Sequence, residues 1–273
     1  MSAVVVFIIF AICLVIAIPI SISLGIVAVL PGAFDASFTA SAGYVIRSMV
    51  GGIDSFPLLA VPMFVLAGIL MAHGKISEKL FDVFVYFLGN KRAGIPCAVI
   101  ITCLFYGAIS GSAPATVAAV GSMTIPLLIE LGYEKDFSTA IVAVAGGLGV
   151  IIPPSIPFIM SAMATGESVS DLFLAGIVPG MMISALLIFY AYYYCRRHGE
   201  DREKIQAKMD QLKTKGFVNI LKESIWALLS PVIVLGCIYT GVASPTEAAG
   251  ISVFYSLFVS LFIYRSIKVK QIW

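Results

Sequence analysis

The sequence predicts an all-α polytopic membrane protein with a re-entrant helical hairpin and discontinuous helices. Three observations predict it. Of the 273 residues, 60% are hydrophobic and 12% are charged, against about 25% charged in a soluble domain. The apolar residues fall into runs near the roughly 20 residues needed to cross a bilayer. Two of those runs are interrupted internally by glycine, proline and hydroxyl residues. The net charge of +2 carries less information than the placement of the charges. Cys13, Cys97, Cys103, Cys195 and Cys237 all sit in apolar runs without a CxxC pair. They read as small apolar filler, not as metal ligands or a disulfide framework. No GxSxG, HExxH, Walker or Rossmann pattern occurs, so no enzyme is expected.

The first span covers about 4–30, with Pro19 as a mid-span kink. It is too long for a signal-peptide core and no small-residue cleavage site closes it, so it reads as retained. Residues 31–54, "PGAFDASFTASAGYVIRSMVGGID", are less apolar and suit the interface. The second span is 56–72. In "KISEKLFDVFVYFLGNKR" (75–92), Leu80, Phe84 and Phe87 recur at helical spacing opposite charges, which predicts a surface-lying amphipathic helix. Residues 93–131 are apolar but interrupted at 110–116, and residues 136–165 are interrupted at "GGLGVIIPPSIP". A span at 171–195 ends in a long charged stretch through 220, expected to be an exposed, cytoplasmic helical loop. Tyr190, Tyr192, Tyr193 and Tyr194 beside Arg196 and Arg197 read as an aromatic belt. His73 and His198, at span ends, read as surface residues. Two more spans cover about 221–241 and 247–264. Glu247, just inside the last, is either a buried functional carboxylate or a capping acid after Ser244.

Lysine and arginine favour the cytoplasmic side. One basic cluster is Lys75, Lys79, Lys91 and Arg92. A second is Arg196, Arg197, Arg202, Lys204, Lys208, Lys213, Lys215 and Lys222, and a third is Arg265, Lys268 and Lys270. If all three share a side, an even number of crossings separates each pair. Two spans lie between the second and third clusters, but three apolar segments lie between the first and second. The parity is restored if 93–131 enters and leaves on one side as a re-entrant hairpin. Asp35, Asp54, Glu167, Asp171 and Glu247 then face outside and the amino terminus is cytoplasmic, with Arg47 counting against the scheme.

The two interruptions carry the chemistry. Proline has no amide to donate, so Pro114 deprives the Ser110 carbonyl of its i+4 partner. Pro153 and Pro154 do the same to the carbonyls of Gly149 and Val150. Ser110, Ser112, Thr116 and Ser155 add hydroxyls. Such oxygens suit a hard monovalent cation such as Na⁺, and the scarcity of nearby carboxylates argues against a divalent site. The helix that starts at Ser112 or Ala113, with Pro114 in its first turn, offers amides and a positive dipole end to an anion. Small residues also serve close helix packing. Two breaks of the same composition favour function, and discontinuous helices at membrane depth mark secondary transporters. A passive channel and a non-transporting scaffold subunit are the other readings left open.

"SGSAPATVAAVGSMTIPLLIELGY", "GGLGVIIPPSIPFIMSA", "DLFLAGIVPGMM" and "GVASPTEAAG" occur in that order. Together they resemble the large permease subunit of tripartite ATP-independent periplasmic (TRAP) transporters, over nearly the whole chain. The resemblance implies an elevator-type secondary transporter of the bacterial inner membrane. It would import an organic anion, of the sialic acid or C4-dicarboxylate type, with Na⁺. The implied partners are a small TRAP membrane subunit, a periplasmic substrate-binding protein, the anion and the lipid bilayer, with no nucleic acid. The resemblance further implies scaffold spans in 1–92 and a transport-domain part in 93–195 (hairpin 93–131, broken helix 136–165, span 171–195). A cytoplasmic charged loop at 196–220 and the start of a second, inverted half at 221–273 complete the division. The implied Na⁺ ligands are Ser110, Gly149, Val150, Ile152 and Pro154. The hairpin tip and substrate contacts fall on Gly111, Ser112, Pro114, Thr116, Pro153 and Ser155. The rest of that second half, with its own hairpin and broken helix, would follow Trp273, so the sequence reads as about two-thirds of a subunit.

Overall fold

A computed structural model describes residues 3–34, 42–214 and 216–267. Among the described residues every regular element is a helix. Asp35, Lys215, Lys268 and Lys270, used above in the charge argument, lie outside them. The chain divides into two units, Met1–Ser55 and Phe56–Trp273.

The first unit holds α1 (Ala3–Val15), α2 (Ile20–Phe34) and α3 (Ala42–Ile53). The single kinked span expected over 4–30 is instead two helices. Pro19 cannot donate an amide and biases Ile18 away from helical geometry. The chain therefore breaks at Ile16–Pro19, with Ala17 left-handed at φ 63°. Ser23 closes the start of α2 by donating to the Pro19 carbonyl at 3.2 Å.

The second unit opens with a 3₁₀ turn (Phe56–Leu59) that runs into α4 (Ala60–His73), followed by α5 (Ile76–Leu88), α6 (Gly94–Ser110) and α7 (Ala113–Glu130). Then come α8 (Lys135–Gly146), a 3₁₀ turn (Gly147–Val150), α9 (Ile156–Thr165) and α10 (Val169–His198). The unit ends with α11 (Arg202–Thr214), α12 (Phe217–Tyr239) and α13 (Pro245–Phe258), which continues into a π turn, Val259–Ile263. Among the described residues five helices, four of them in the expected places, are long and apolar enough to cross a membrane: Phe56–His73, Ala113–Glu130, Val169–His198, Phe217–Tyr239 and Pro245–Ile263. Their outward residues are apolar. Val178, Met182, Leu186 and Phe189 on α10 are each more than 60% exposed, as expected of a helix solvated by lipid.

The helix α4 packs most extensively against α13. The contact face of α13 is Ala248, Ala249, Ser252, Ser256 and Ser260, all fully buried. Small residues at this spacing let two membrane helices approach closely. Two of the hydroxyls bond within the helix, Ser252 to the Ala249 carbonyl at 2.7 Å and Ser256 to the Ser252 carbonyl at 2.5 Å, and Ser260 donates across to the Leu70 carbonyl of α4 at 3.4 Å. Glu247 lies on the exposed side and closes a capping box with Ser244, so of its two readings the cap is the one observed.

Three expectations change here. The helix α5 does not lie on the surface by the Leu80–Phe84–Phe87 stripe. Ile76, Leu80, Phe81, Val83 and Val85 are buried in the core, whereas Phe87 is 56% exposed. The packing partners α6 and α12 bury a broader face that keeps Leu80, holds Phe84 half-buried against Phe105, and leaves out Phe87. The charged stretch after α10 is not wholly exposed either: Ile205, Met209 and Leu212 on α11 are buried and α11 packs on α5. Tyr194, read as belt, stacks between Phe137 (centroids 3.9 Å apart) and His198 (4.1 Å). Tyr190, Tyr192 and Tyr193 remain exposed.

Described members of the three basic clusters come to one end of this unit. Lys79 of α5 pairs with Glu223 of α12. Arg202 donates to the Asn90 carbonyl at 3.3 Å, and Tyr264, beside Arg265, donates to the Glu223 carbonyl at 2.5 Å. Glu200, just past α10, accepts from Ala93 and Tyr133, and Tyr194 donates to Glu134, so the start of α6, the end of α7, the start of α8 and the end of α10 lie together. At 1.5 Å per residue, the 17 residues of α6 rise about 25 Å and the 30 residues of α10 about 45 Å.

Candidate functional site

The expected interruption at 110–116 narrows to two residues. Gly111 closes α6 in the left-handed conformation (φ 62°) and its amide donates to the Gly107 carbonyl at 2.9 Å. Ser112 is extended and caps α7 by accepting from the Ala115 amide, with Pro114 in the first turn. Pro114 through Thr116 are helical, because proline in a first turn forgoes only an amide that has no intrahelical partner. The second break repeats the pattern. Ser155 is extended and accepts from the Phe158 amide at 3.3 Å, again with proline in the first turn of the helix it caps.

The two breaks touch. The Gly111 carbonyl accepts the Ile156 amide at 3.2 Å. A Cβ on Gly107 would stand 2.4 Å from the Gly149 Cα, and one on Gly111 would stand 2.9 Å from the Pro154 carbonyl oxygen. The tip of the α6–α7 pair is therefore level with the gap between α8 and α9, and α9 continues past it by ten residues, about 15 Å of rise.

A cluster of oxygens fills the junction. Ser110 and Thr116 are fully buried, with their hydroxyls 3.1 Å apart. The Ser112 carbonyl accepts the Thr116 hydroxyl at 2.8 Å and, at the long limit of 3.5 Å, the Ser110 hydroxyl. Gly149 abuts the cluster: a Cβ there would lie 2.5 Å from Thr116 Oγ1 and 3.1 Å from the Ser112 carbonyl oxygen. The structure thus brings Ser110, Gly111, Ser112, Thr116, Gly149, Pro154 and Ser155 to one place.

Ile152, Pro153 and Pro154 are buried in the same turn, whereas Pro114 faces outward. The Val150 carbonyl is not bare as expected. It accepts the Ser155 hydroxyl at 2.6 Å, because an N-cap serine also carries a proton to give. A carbonyl has two lone pairs, so one remains. The donor set is hydroxyl and carbonyl oxygen only. Among the described residues no group of three His, Cys, Asp or Glu side chains that could hold a metal ion occurs. Such a set can offer a hard cation neutral oxygen ligands without a carboxylate.

Other residues of the site escaped the sequence reading. Gly176 and Gly180 on α10 cradle the second break. A Cβ at Gly176 would meet the Ile151 carbonyl at 2.6 Å, and one at Gly180 would meet the Ile152 Cδ1 at 2.3 Å. Their GxxxG spacing was the available signal. Tyr106 donates to the Gly68 carbonyl at 2.7 Å, which ties α6 to α4 beside the tip. A cavity of about 360 Å³ opens there, lined by Gly68, Tyr106, Ala115, Ala119 and Ser122 among others, with His73 as the one titratable side chain besides the engaged tyrosine.

Glu200 anchors the opposite end of the α6–α7 pair. Its side chain is 2% exposed. One oxygen accepts the Ala93 amide at 3.0 Å and the Tyr133 hydroxyl at 2.7 Å, and the other accepts from Arg202 at 3.2 Å. Burial first, and then donation to Glu200, hold the Tyr133 hydroxyl protonated well above its ordinary range.

The family model described as "Tripartite ATP-independent periplasmic transporter, DctM component" matches residues 7–273. An isethionate TRAP transporter permease protein of Oleidesulfovibrio alaskensis is 43% identical over 259 residues, 95% of this chain and 40% of the relative. A C4-dicarboxylate TRAP transporter large permease protein of Rhodobacter capsulatus is 34% identical over 286 residues, 100% of this chain and 63% of the relative. A 2,3-diketo-L-gulonate TRAP transporter large permease protein of Escherichia coli is 37% identical over 227 residues, 83% of this chain and 52% of the relative. The chain spans about half the length of these relatives.

Proposed function

The chain belongs to the DctM component family of tripartite ATP-independent periplasmic transporters, and from that premise we propose that it forms part of a permease coupling Na⁺ to the import of a small organic anion. The observation that carries the coupling is the oxygen cluster of Ser110, Ser112 and Thr116 against Gly149. Two discontinuous helices meet there without a carboxylate. Na⁺ would bind where hydroxyl and carbonyl oxygens from both breaks converge, with Val150, Ile152 and Pro154 supplying carbonyls from the second turn. Bound Na⁺ would replace the hydrogen bonds that now hold these oxygens to one another. It would thereby favour the state that accepts substrate.

The hairpin reading is supported by the shared basic end of α6 and α7 and by the α9 turns beyond their tip. On that reading α6 and α7 enter and leave from the cytoplasmic face, and 93–195 forms a transport part that moves against scaffold helices by an elevator motion. The close pairing of α4 with α13 suits a fixed scaffold. The substrate would lie near Gly111, Ser112, Pro114, Thr116, Pro153 and Ser155, where the start of α7 presents its positive dipole end beside the cavity under Tyr106. The names of the three relatives are those of a sulfonate, a dicarboxylate and a keto-sugar acid, which supports a small organic anion. None of the three is named for sialic acid. A small membrane subunit and a periplasmic binding protein complete the proposed assembly in the bacterial inner membrane. Membership of a transporter family favours this reading over a passive channel, a bare scaffold or an enzyme.

The test is Ser110→Ala in the complete transporter reconstituted into liposomes. The Na⁺ concentration for half-maximal uptake should rise about tenfold, the equivalent of ~1.4 kcal/mol, with membrane insertion unchanged. Unaltered sodium dependence would overturn the site assignment.

A further inference from the structure

We propose that the groove between α6 and α10 at the basic end is a binding site for an anionic phospholipid. The groove has a volume of about 500 Å³ and is lined by Cys97, Ile101, Ala185, Ile188 and Phe189, with Lys91 and Arg92 at its mouth. Its length is apolar and only its mouth is charged. The two cations are exposed, and among the described residues neither takes part in an ion pair. Glu200, which accepts from the Ala93 amide next to Arg92, is buried and already accepts from Tyr133 and Arg202 as well.

The occupant follows from charge and position. From Gly94 to Ile101, α6 rises about 10 Å, and α10 from Ala185 to Tyr192 rises the same distance beside it. That is a slot for the upper part of an acyl chain, open to the lipid-facing side where Phe189 is 69% exposed. The cations sit at the end where Lys79, Arg202 and Arg265 also lie, and Tyr192 lines the same groove at the level suited to an aromatic belt. A basic pocket between membrane helices, placed on the side enriched in lysine and arginine, suits an anionic headgroup. An apolar peptide would leave both cations unmatched, and a zwitterionic lipid would bring its own cation to them. The inference rests on the chain spanning a membrane and not on the sodium site.

The complete transporter, purified in a mild detergent, would be titrated with phosphatidylglycerol and with phosphatidylcholine and followed by native mass spectrometry. Phosphatidylglycerol should be retained at least tenfold more tightly. Lys91→Ala with Arg92→Ala should weaken it by roughly thirtyfold, two juxtamembrane cations acting together. Both residues are exposed, so the double variant should melt as the wild type does. Ile188→Trp, which fills the slot and leaves the charge intact, should also abolish retention. Equal retention of the two lipids would overturn the proposal. So would displacement by millimolar inorganic phosphate, which would make the cations a free-phosphate site.

Discussion

Gly149→Ala is expected to abolish sodium-driven uptake in liposomes while the protein still inserts into the membrane. The added methyl would meet Thr116 Oγ1 at 2.5 Å and the Ser112 carbonyl oxygen at 3.1 Å. Both belong to the oxygen cluster proposed to hold the ion, so relief of the clash must move a ligand. Gly107→Ala strikes the same junction from the other helix, where its Cβ would lie 2.4 Å from the Gly149 Cα and 3.0 Å from its nitrogen. Backbone on both sides leaves nothing flexible to yield, and overpacking of this kind costs about 1–3 kcal/mol. Gly147 is the internal control. It sits two residues away in the same turn with nothing within 4 Å of an added Cβ, so Gly147→Ala should transport and melt almost as the wild type does. Radiolabelled uptake together with thermal melting separates loss of the site from loss of the fold. Normal uptake by Gly149→Ala would refute the placement of the ion.

Glu200→Ala should produce the largest loss of stability. It leaves the Ala93 amide, on a fully buried residue, and the Tyr133 hydroxyl without acceptors. An orphaned buried donor costs about 1–3 kcal/mol, so a loss of ~3 kcal/mol is expected. Arg202 contributes little, since its side chain is 50% exposed and exposed ion pairs are weak. Glu200→Gln keeps an acceptor at Oε1 and should lose about 1–2 kcal/mol, because a neutral acceptor bonds more weakly than a charged one. Tyr133→Phe removes one donor and leaves the carboxylate its other two, for ~1 kcal/mol. Thermal melting of the three variants should rank them in that order. A Glu200→Ala protein that melts with the wild type would show that these bonds do not hold the hairpin base.

The difference between what these residues disclose alone and what they disclose together is physical. Pro114 and Pro153–Pro154 were readable because a missing amide is a local fact, true in any fold. The gathering of the described basic residues at one end was readable because charge placement is local to each span end and does not need the tertiary structure. The junction of Gly107 with Gly149 was not readable, since a close approach between two segments belongs to neither. The Val150 carbonyl was misjudged for a related reason: Ser155 was counted as an oxygen donor to an ion, and its proton was overlooked. Glu200 was hidden by its neighbours, lying in the most hydrophilic stretch of the chain, where a charge reads as solvated. On α11 the signal was present. Ile205, Met209 and Leu212 recur at helical spacing, and the surrounding charge obscured it.

The bond from the Ile156 amide to the Gly111 carbonyl joins the two breaks through main-chain atoms alone. The side chain of residue 156 takes no part in it: any residue there but proline supplies the amide. What the joint does require is the absence of a side chain opposite, since a Cβ on Gly111 would lie 2.9 Å from the Pro154 carbonyl oxygen. The joint therefore belongs to the path of the backbone and not to the side chains that would read a cargo.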